Sequence, residues 1–104
     1  MKEDKLTILS EKEALIIKLL IDKEESLGLE VFSFELVKLS SGILKRGTIY
    51  VTLNRMIKKE YVTFRRMDHF VGIGHPKKMF KVTELGKKMY NIYNKYYNEF
   101  KNIR

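Results

Sequence analysis

The chain has 104 residues, 44% of them hydrophobic, enough for one compact domain with one core but not for a second. It contains no cysteine, which excludes disulfides, thiolate nucleophiles and cysteine-ligated zinc. No apolar run approaches the roughly 18 residues of a membrane helix, so a cytoplasmic protein without a membrane partner is expected. The net charge of +8 is localised: residues 1–44 carry six basic and nine acidic side chains, residues 45–81 ten and two, and residues 82–104 five and two. Such a cluster is the footprint of a polyanion-binding surface, although a basic run by itself is more often a solvated face.

Ser10 followed by Glu13 has the spacing of a capping box and predicts a helix from about Glu11 to Ser26. Residues 14–21 of this helix are apolar around most of the circumference, which argues for burial on two sides. Gly28 suits the left-handed position just past its end. A short second helix is expected over about Phe32–Leu39, stopped by Ser40-Ser41-Gly42, and a third from near Gly47 to Lys59 or Glu60. On the third helix Ile49, Leu53, Met56 and Ile57 form the buried stripe, whereas Thr48, Val51, Thr52, Arg55 and Lys59 are expected together on the open side. Lys45 and Arg46 before it, and Lys58 and Lys59 at its end, are placed to grip phosphates.

Residues 61–67 and 78–82 alternate like strands, with Val62, Phe64, Phe80 and Val82 expected inward and Thr63 and Arg65 outward. Gly72, Gly74 and Pro76 punctuate the loop between them, giving a β-hairpin with His69, His75, Lys77 and Lys78 at its tip. From Thr83, a plausible N-cap, the pattern returns to helix. Leu85, Met89, Ile92, Tyr96, Phe100 and Ile103 form one apolar stripe, and Tyr90, Tyr93 and Tyr97 a second beside it. A stripe at helical spacing is usually core cover. Two stripes exceed what so small a domain buries, so the spare face is expected to pair with a second copy of the chain.

Three helices followed by a basic hairpin is the order of a winged helix-turn-helix, whose third helix enters the DNA major groove while the hairpin touches the backbone. The expected fold class is mostly α with a small β-hairpin (α+β). Residues 1–104 form one domain, with the winged helix-turn-helix over about 10–83 and a C-terminal dimerisation helix over about 84–104. The stretch Gly47-Thr48-Ile49-Tyr50-Val51-Thr52-Leu53-Asn54-Arg55-Met56-Ile57-Lys58-Lys59-Glu60-Tyr61-Val62, followed by Gly74-His75-Pro76-Lys77-Lys78-Met79-Phe80-Lys81-Val82-Thr83-Glu84-Leu85-Gly86, resembles the PadR family of bacterial transcriptional regulators. Ser33-Phe34-Glu35-Leu36 stands where that family has G-Y-E-[LI]. The resemblance implies a dimer formed through the terminal helix and helix one. In three places the chain departs from the family pattern. Lys45-Arg46 replaces the Ser-Pro that opens the third helix, Glu60 replaces the Gly that ends it, and the link from Asp22 to Glu30 is longer. With no tryptophan, the stacked Trp pair that binds drugs in some short relatives has no counterpart, and no small-molecule effector is identified.

The function expected is that of a sequence-specific, double-stranded-DNA-binding homodimer, a transcriptional repressor acting on an inverted repeat. Thr48, Tyr50, Val51, Thr52, Arg55 and Lys59 are the expected contacts of the recognition helix. Lys45, Arg46, Arg65, Arg66, His75, Lys77 and Lys78 are the expected backbone contacts, and Met89, Tyr90, Tyr93, Tyr97 and Phe100 the dimer contacts. The residues leave two alternatives open: a plasmid or phage accessory protein using the same unit in partition, replication or transfer, and a protein-interaction module without DNA. No nucleophile elbow, phosphate loop or paired-carboxylate motif suggests an enzyme. His69 and His75, with Asp68, make a poor metal set, and no cofactor is expected.

Overall fold

The computed structural model describes residues 8–27, 30–67 and 77–101. The predicted turn at Gly28 and the loop tip with His69, Gly72, Gly74, His75 and Pro76 lie outside these residues, as do the side chains of Lys77 and Phe100. In chain order the elements are α1 (Glu11–Leu27), β1 (Val31–Phe32), α2 (Ser33–Leu39), α3 (Ile49–Lys58), β2 (Val62–Met67), β3 (Lys77–Val82) and α4 (Glu84–Lys101). The hairpin does not stand alone. The two-residue strand β1, which alternation cannot reveal at that length, pairs antiparallel with β3 and gives the sheet order β1-β3-β2.

Local chemistry fixes the helix ends. The Ser10 N–H donates to Glu13 Oε1 at 2.9 Å and the Glu13 N–H to Ser10 Oγ at 3.1 Å, completing the capping box of α1. At α2 the Glu35 carboxylate accepts the Phe32 N–H at 2.9 Å, half of the same device, since Phe32 has no side-chain acceptor to return. Between α2 and α3 the chain turns through Ser41 and Gly42, both at positive φ, while Ser40 Oγ accepts the buried Leu44 N–H at 2.9 Å. Helix α3 closes in a Schellman motif: the Tyr61 N–H reaches Met56 O at 3.0 Å and the Glu60 N–H reaches Ile57 O at 2.9 Å. The residue at the left-handed position is Glu60, at φ +67°.

The core gathers Ile16, Ile17 and Leu20 of α1, Leu36 of α2, Leu53 and Met56 of α3, and Val31, Val62 and Phe80 of the sheet, all 2% exposed or less. Phe64 departs from expectation. It faces Phe80 in register, with ring centroids 6.2 Å apart, but stays 37% exposed on β2, an edge strand of the sheet.

Helix α4 is tied to the end of α3. Thr83 Oγ1 donates to the Glu60 carbonyl at 2.7 Å and accepts the Gly86 N–H at 2.9 Å, so one hydroxyl both caps α4 and holds it to the α3–β2 corner. Gly86 lies against the Tyr61 carbonyl oxygen: a Cβ there would fall on that oxygen and within 2.8 Å of Val82 Cγ2. This close approach sets the rotation of α4, which turns part of each apolar stripe inward. Met89, Tyr90 and Tyr93 are half-buried against the core, whereas Leu85, Ile92, Tyr96 and Tyr97 are exposed. Of the expected dimer contacts, Met89, Tyr90 and Tyr93 therefore serve the chain's own core, while Tyr97 stays exposed along with Leu85, Ile92 and Tyr96.

Candidate nucleic-acid interface

Helix α3 buries Ile49, Thr52, Leu53 and Met56 and leaves Tyr50, Val51, Asn54, Arg55 and Lys58 exposed. Thr52 is a correction. It is 8% exposed and its hydroxyl donates to the Thr48 carbonyl, 3.3 Å away, so it sits on the inner flank and not on the reading side. The open face is turned by roughly 85° from the expected one, at about 100° of rotation per residue. That turn removes Thr52 and brings Asn54 and Lys58 to the centre beside Val51 and Arg55. Asn54 was missed as a candidate, although it lies three residues after Val51 and so shares its face. Asparagine is also the side chain suited to paired hydrogen bonds with adenine.

Thr48 is exposed at the N-cap of α3 and its hydroxyl makes no cap; the chain enters the helix through a turn in which the Thr48 and Ile49 N–H groups donate to the Lys45 carbonyl at 3.2 and 2.9 Å. Tyr50 is 53% exposed, and its hydroxyl accepts a 2.8 Å hydrogen bond from Ser33 Oγ, which ties the start of α3 to α2. Together with Phe34, Val37, Arg46 and Ile49, these two residues line a shallow cleft of about 510 Å³.

The cations fall into two groups. Lys45, Arg46, Lys58 and Arg66 are exposed, and no ion pair joins them to a described carboxylate. Six further cations of α3, the sheet and α4 are engaged within the chain. Arg65 Nε lies 2.7 Å from Glu30 Oε1, Lys78 Nζ sits 4.7 Å above the Phe64 ring, and Lys81 and Lys87 approach Glu24 at 3.9 and 3.3 Å. Arg55 Nε and Lys59 Nζ both lie 3.8 Å from Glu13 Oε2. The Arg65 pair is formed across the sheet to the segment before β1, with the Arg65 side chain largely exposed. Burial raises the Tyr61 phenol above its ordinary value, and Glu13 nearby adds to that shift.

Among the described residues no group of three metal-ligating side chains converges, and no helix is long and apolar enough to cross a membrane. Helix α3 has two distinct sides. One side is seated in the core, the other carries hydrogen-bonding and apolar groups of the kinds that suit base edges, and cations without an ion pair to a described carboxylate flank both ends.

Solved structures share this fold. A PadR family transcription regulator from Clostridium difficile shares the fold with a TM-score of 0.69 at 23% identity, over 90% of this chain and 94% of that one. A PadR-like transcription factor from Bacteroides fragilis does so at 0.68 and 20%, over 86% and 82%. A transcriptional regulator from Clostridium thermocellum does so at 0.70 and 17%, over 92% and 94%. No curated protein matches the sequence. The sequence profile of the transcriptional regulator PadR-like family matches residues 16–92, from the middle of α1 into α4. The chain therefore belongs to the PadR-like family of transcriptional regulators.

Proposed function

We propose that the protein is a dimeric, sequence-specific repressor that places α3 in the major groove of an inverted-repeat operator. The carrying observation is the division of α3 into a seated side and an open side bearing Val51, Asn54, Arg55 and Lys58. Arg55 suits paired donation to guanine, Asn54 paired bonding to adenine, and Val51 the thymine methyl group. Lys45, Arg46, Lys58 and Arg66 hold phosphates, with Lys77 and Lys78 contributing from the wing. Tyr50, anchored by Ser33, supports the helix start and offers its exposed edge to the backbone.

Dimerisation is supported by the open stripe Leu85, Ile92 and Tyr96 on α4, with Tyr97 at its margin; Phe100 continues it in sequence. Apolar side chains in line along an exposed helix favour a second copy of the same helix. Repression requires only that the operator be occupied, which this unit achieves by itself.

Selection of bound duplexes from random sequence tests the reading. The expected site is an inverted repeat whose half-site centres lie about 10 base pairs, or a multiple of that, apart. Recovery of a site without symmetry removes the dimer, and recovery of no preferred sequence removes specific DNA recognition.

A further inference from the structure

Glu13 carries a charge that its known structural task does not need. It is 4% exposed, and carboxylates are seldom so buried unless paired. The capping box uses only Oε1, which accepts the Ser10 N–H at 2.9 Å. A glutamine would serve that role equally well, because its carbonyl oxygen accepts the same bond. The other oxygen, Oε2, points away from α1 towards α3 and lies 3.8 Å from both Arg55 Nε and Lys59 Nζ. These two cations are one helical turn apart at the edge of the open face. The Lys59 ammonium is also held 5.9 Å from the centre of the Tyr61 ring.

We infer that Glu13 is a positioning residue for DNA readout: a buried carboxylate on α1 that orients the Arg55 guanidinium and partly neutralises Lys59, thereby favouring base recognition over indiscriminate phosphate binding. The inference rests on the proposed role of α3. Approach through Nε engages the inner edge of the guanidinium and leaves its two terminal nitrogens for a base edge. An Arg55 without this anchor samples more rotamers and reaches neighbouring phosphates as readily as a base. Lys59 beside the carboxylate contributes less than a full charge to counterion release, so non-specific binding is held down. Specificity is the ratio of cognate to unrelated affinity, and Glu13 raises it by lowering the denominator as well as by aiming Arg55.

The test is E13Q in the full chain, with affinity for the selected site and for unrelated duplex measured at several salt concentrations. The cap is retained, so circular dichroism and thermal unfolding should stay close to those of the parent. Affinity for unrelated DNA is expected to rise several-fold and the slope of log affinity against log salt to steepen by about one. The ratio of cognate to unrelated affinity should fall by about tenfold, with preference lost chiefly at the base that R55A also relaxes. Unchanged affinities and slope would reduce Glu13 to a helix cap and overturn the inference.

Two further arms keep the outcome decisive. S10A weakens the same cap but leaves the carboxylate, so it should cost stability without altering the affinity ratio; a fall matching that of E13Q assigns the effect to the fold and overturns the inference. K58Q and K59Q keep Glu13 in place. K58Q should lower the salt slope by about one and K59Q by clearly less, because Lys59 is already partly neutralised. Equal changes overturn the inference even if E13Q does not fold. A parent chain without sequence preference is a separate failure, that of the DNA-reading proposal itself.

Discussion

Replacing Glu60 by glycine should stabilise the protein, although it removes a side chain and makes no new contact. Glu60 occupies the left-handed position of the Schellman motif that ends α3, at φ +67°. An L-residue there bears roughly 1–2 kcal/mol of steric cost, because its Cβ crowds the following carbonyl. Glycine escapes that cost but loses about 0.5–1 kcal/mol more conformational freedom on folding. The difference favours Glu60→Gly by about 0.5–1 kcal/mol. For a domain of this size that raises Tm by about 2–8 °C. Removing a carboxylate from the most basic third of the chain also increases charge repulsion, so Glu60→Gln is the proper reference: it removes the same charge and keeps the strain. Thermal unfolding of both variants, followed by circular dichroism at one salt concentration, isolates the backbone effect. A Gly variant that melts at or below the Gln variant would show that the motif is not strained and that the reasoning fails.

The packing of α4 predicts that Gly86→Ala destabilises by about 1–3 kcal/mol, the usual range for forcing atoms into a filled site, since its Cβ falls on the Tyr61 carbonyl; thermal unfolding reads this directly. Thr83→Ala should cost about 1–2 kcal/mol, because the cap of α4 and the bond to the Glu60 carbonyl are lost together; denaturant unfolding measures it. Ile92→Glu with Tyr96→Glu should give a folded monomer by sedimentation, with full-site affinity reduced to that of a half-site, whereas Tyr93→Glu should lower stability instead because that ring packs on the core.

Much of this architecture was readable from residue order. Ser10 and Glu13 marked the start of α1, the spacing of Ile49, Leu53 and Met56 marked the seated side of α3, and Thr83 marked the cap of α4; each depends on contacts within a turn or two of the chain. What escaped depended on contacts between distant segments. Strand β1 exists because β3 offers it an edge, and two residues are too few to show alternation. The open side of α3 was misplaced by most of one residue's rotation because Thr52, a small polar residue, satisfies its hydroxyl within the helix and can be buried at little cost. On α4 both stripes are apolar, and hydrophobicity does not say which residues face inward. A signal was present, since Gly86 shares a face with Tyr90, Tyr93 and Tyr97, and a helical glycine is well suited to a close backbone contact. The pairing of Arg65 with Glu30 was not legible because the two are 35 residues apart in sequence.

The central claim, that the open side of α3 reads DNA through Asn54 and Arg55, is tested most directly by comparing Asn54→Ala, Arg55→Ala and Thr52→Val on the selected site and on unrelated duplex at one salt concentration. The account predicts that Asn54→Ala and Arg55→Ala each lose about 1–3 kcal/mol of specific binding with the fold intact, while Thr52→Val, altering a buried hydroxyl, binds within about twofold of the parent. Full specific affinity in both the Asn54 and Arg55 variants would contradict it, as would a loss confined to Thr52→Val.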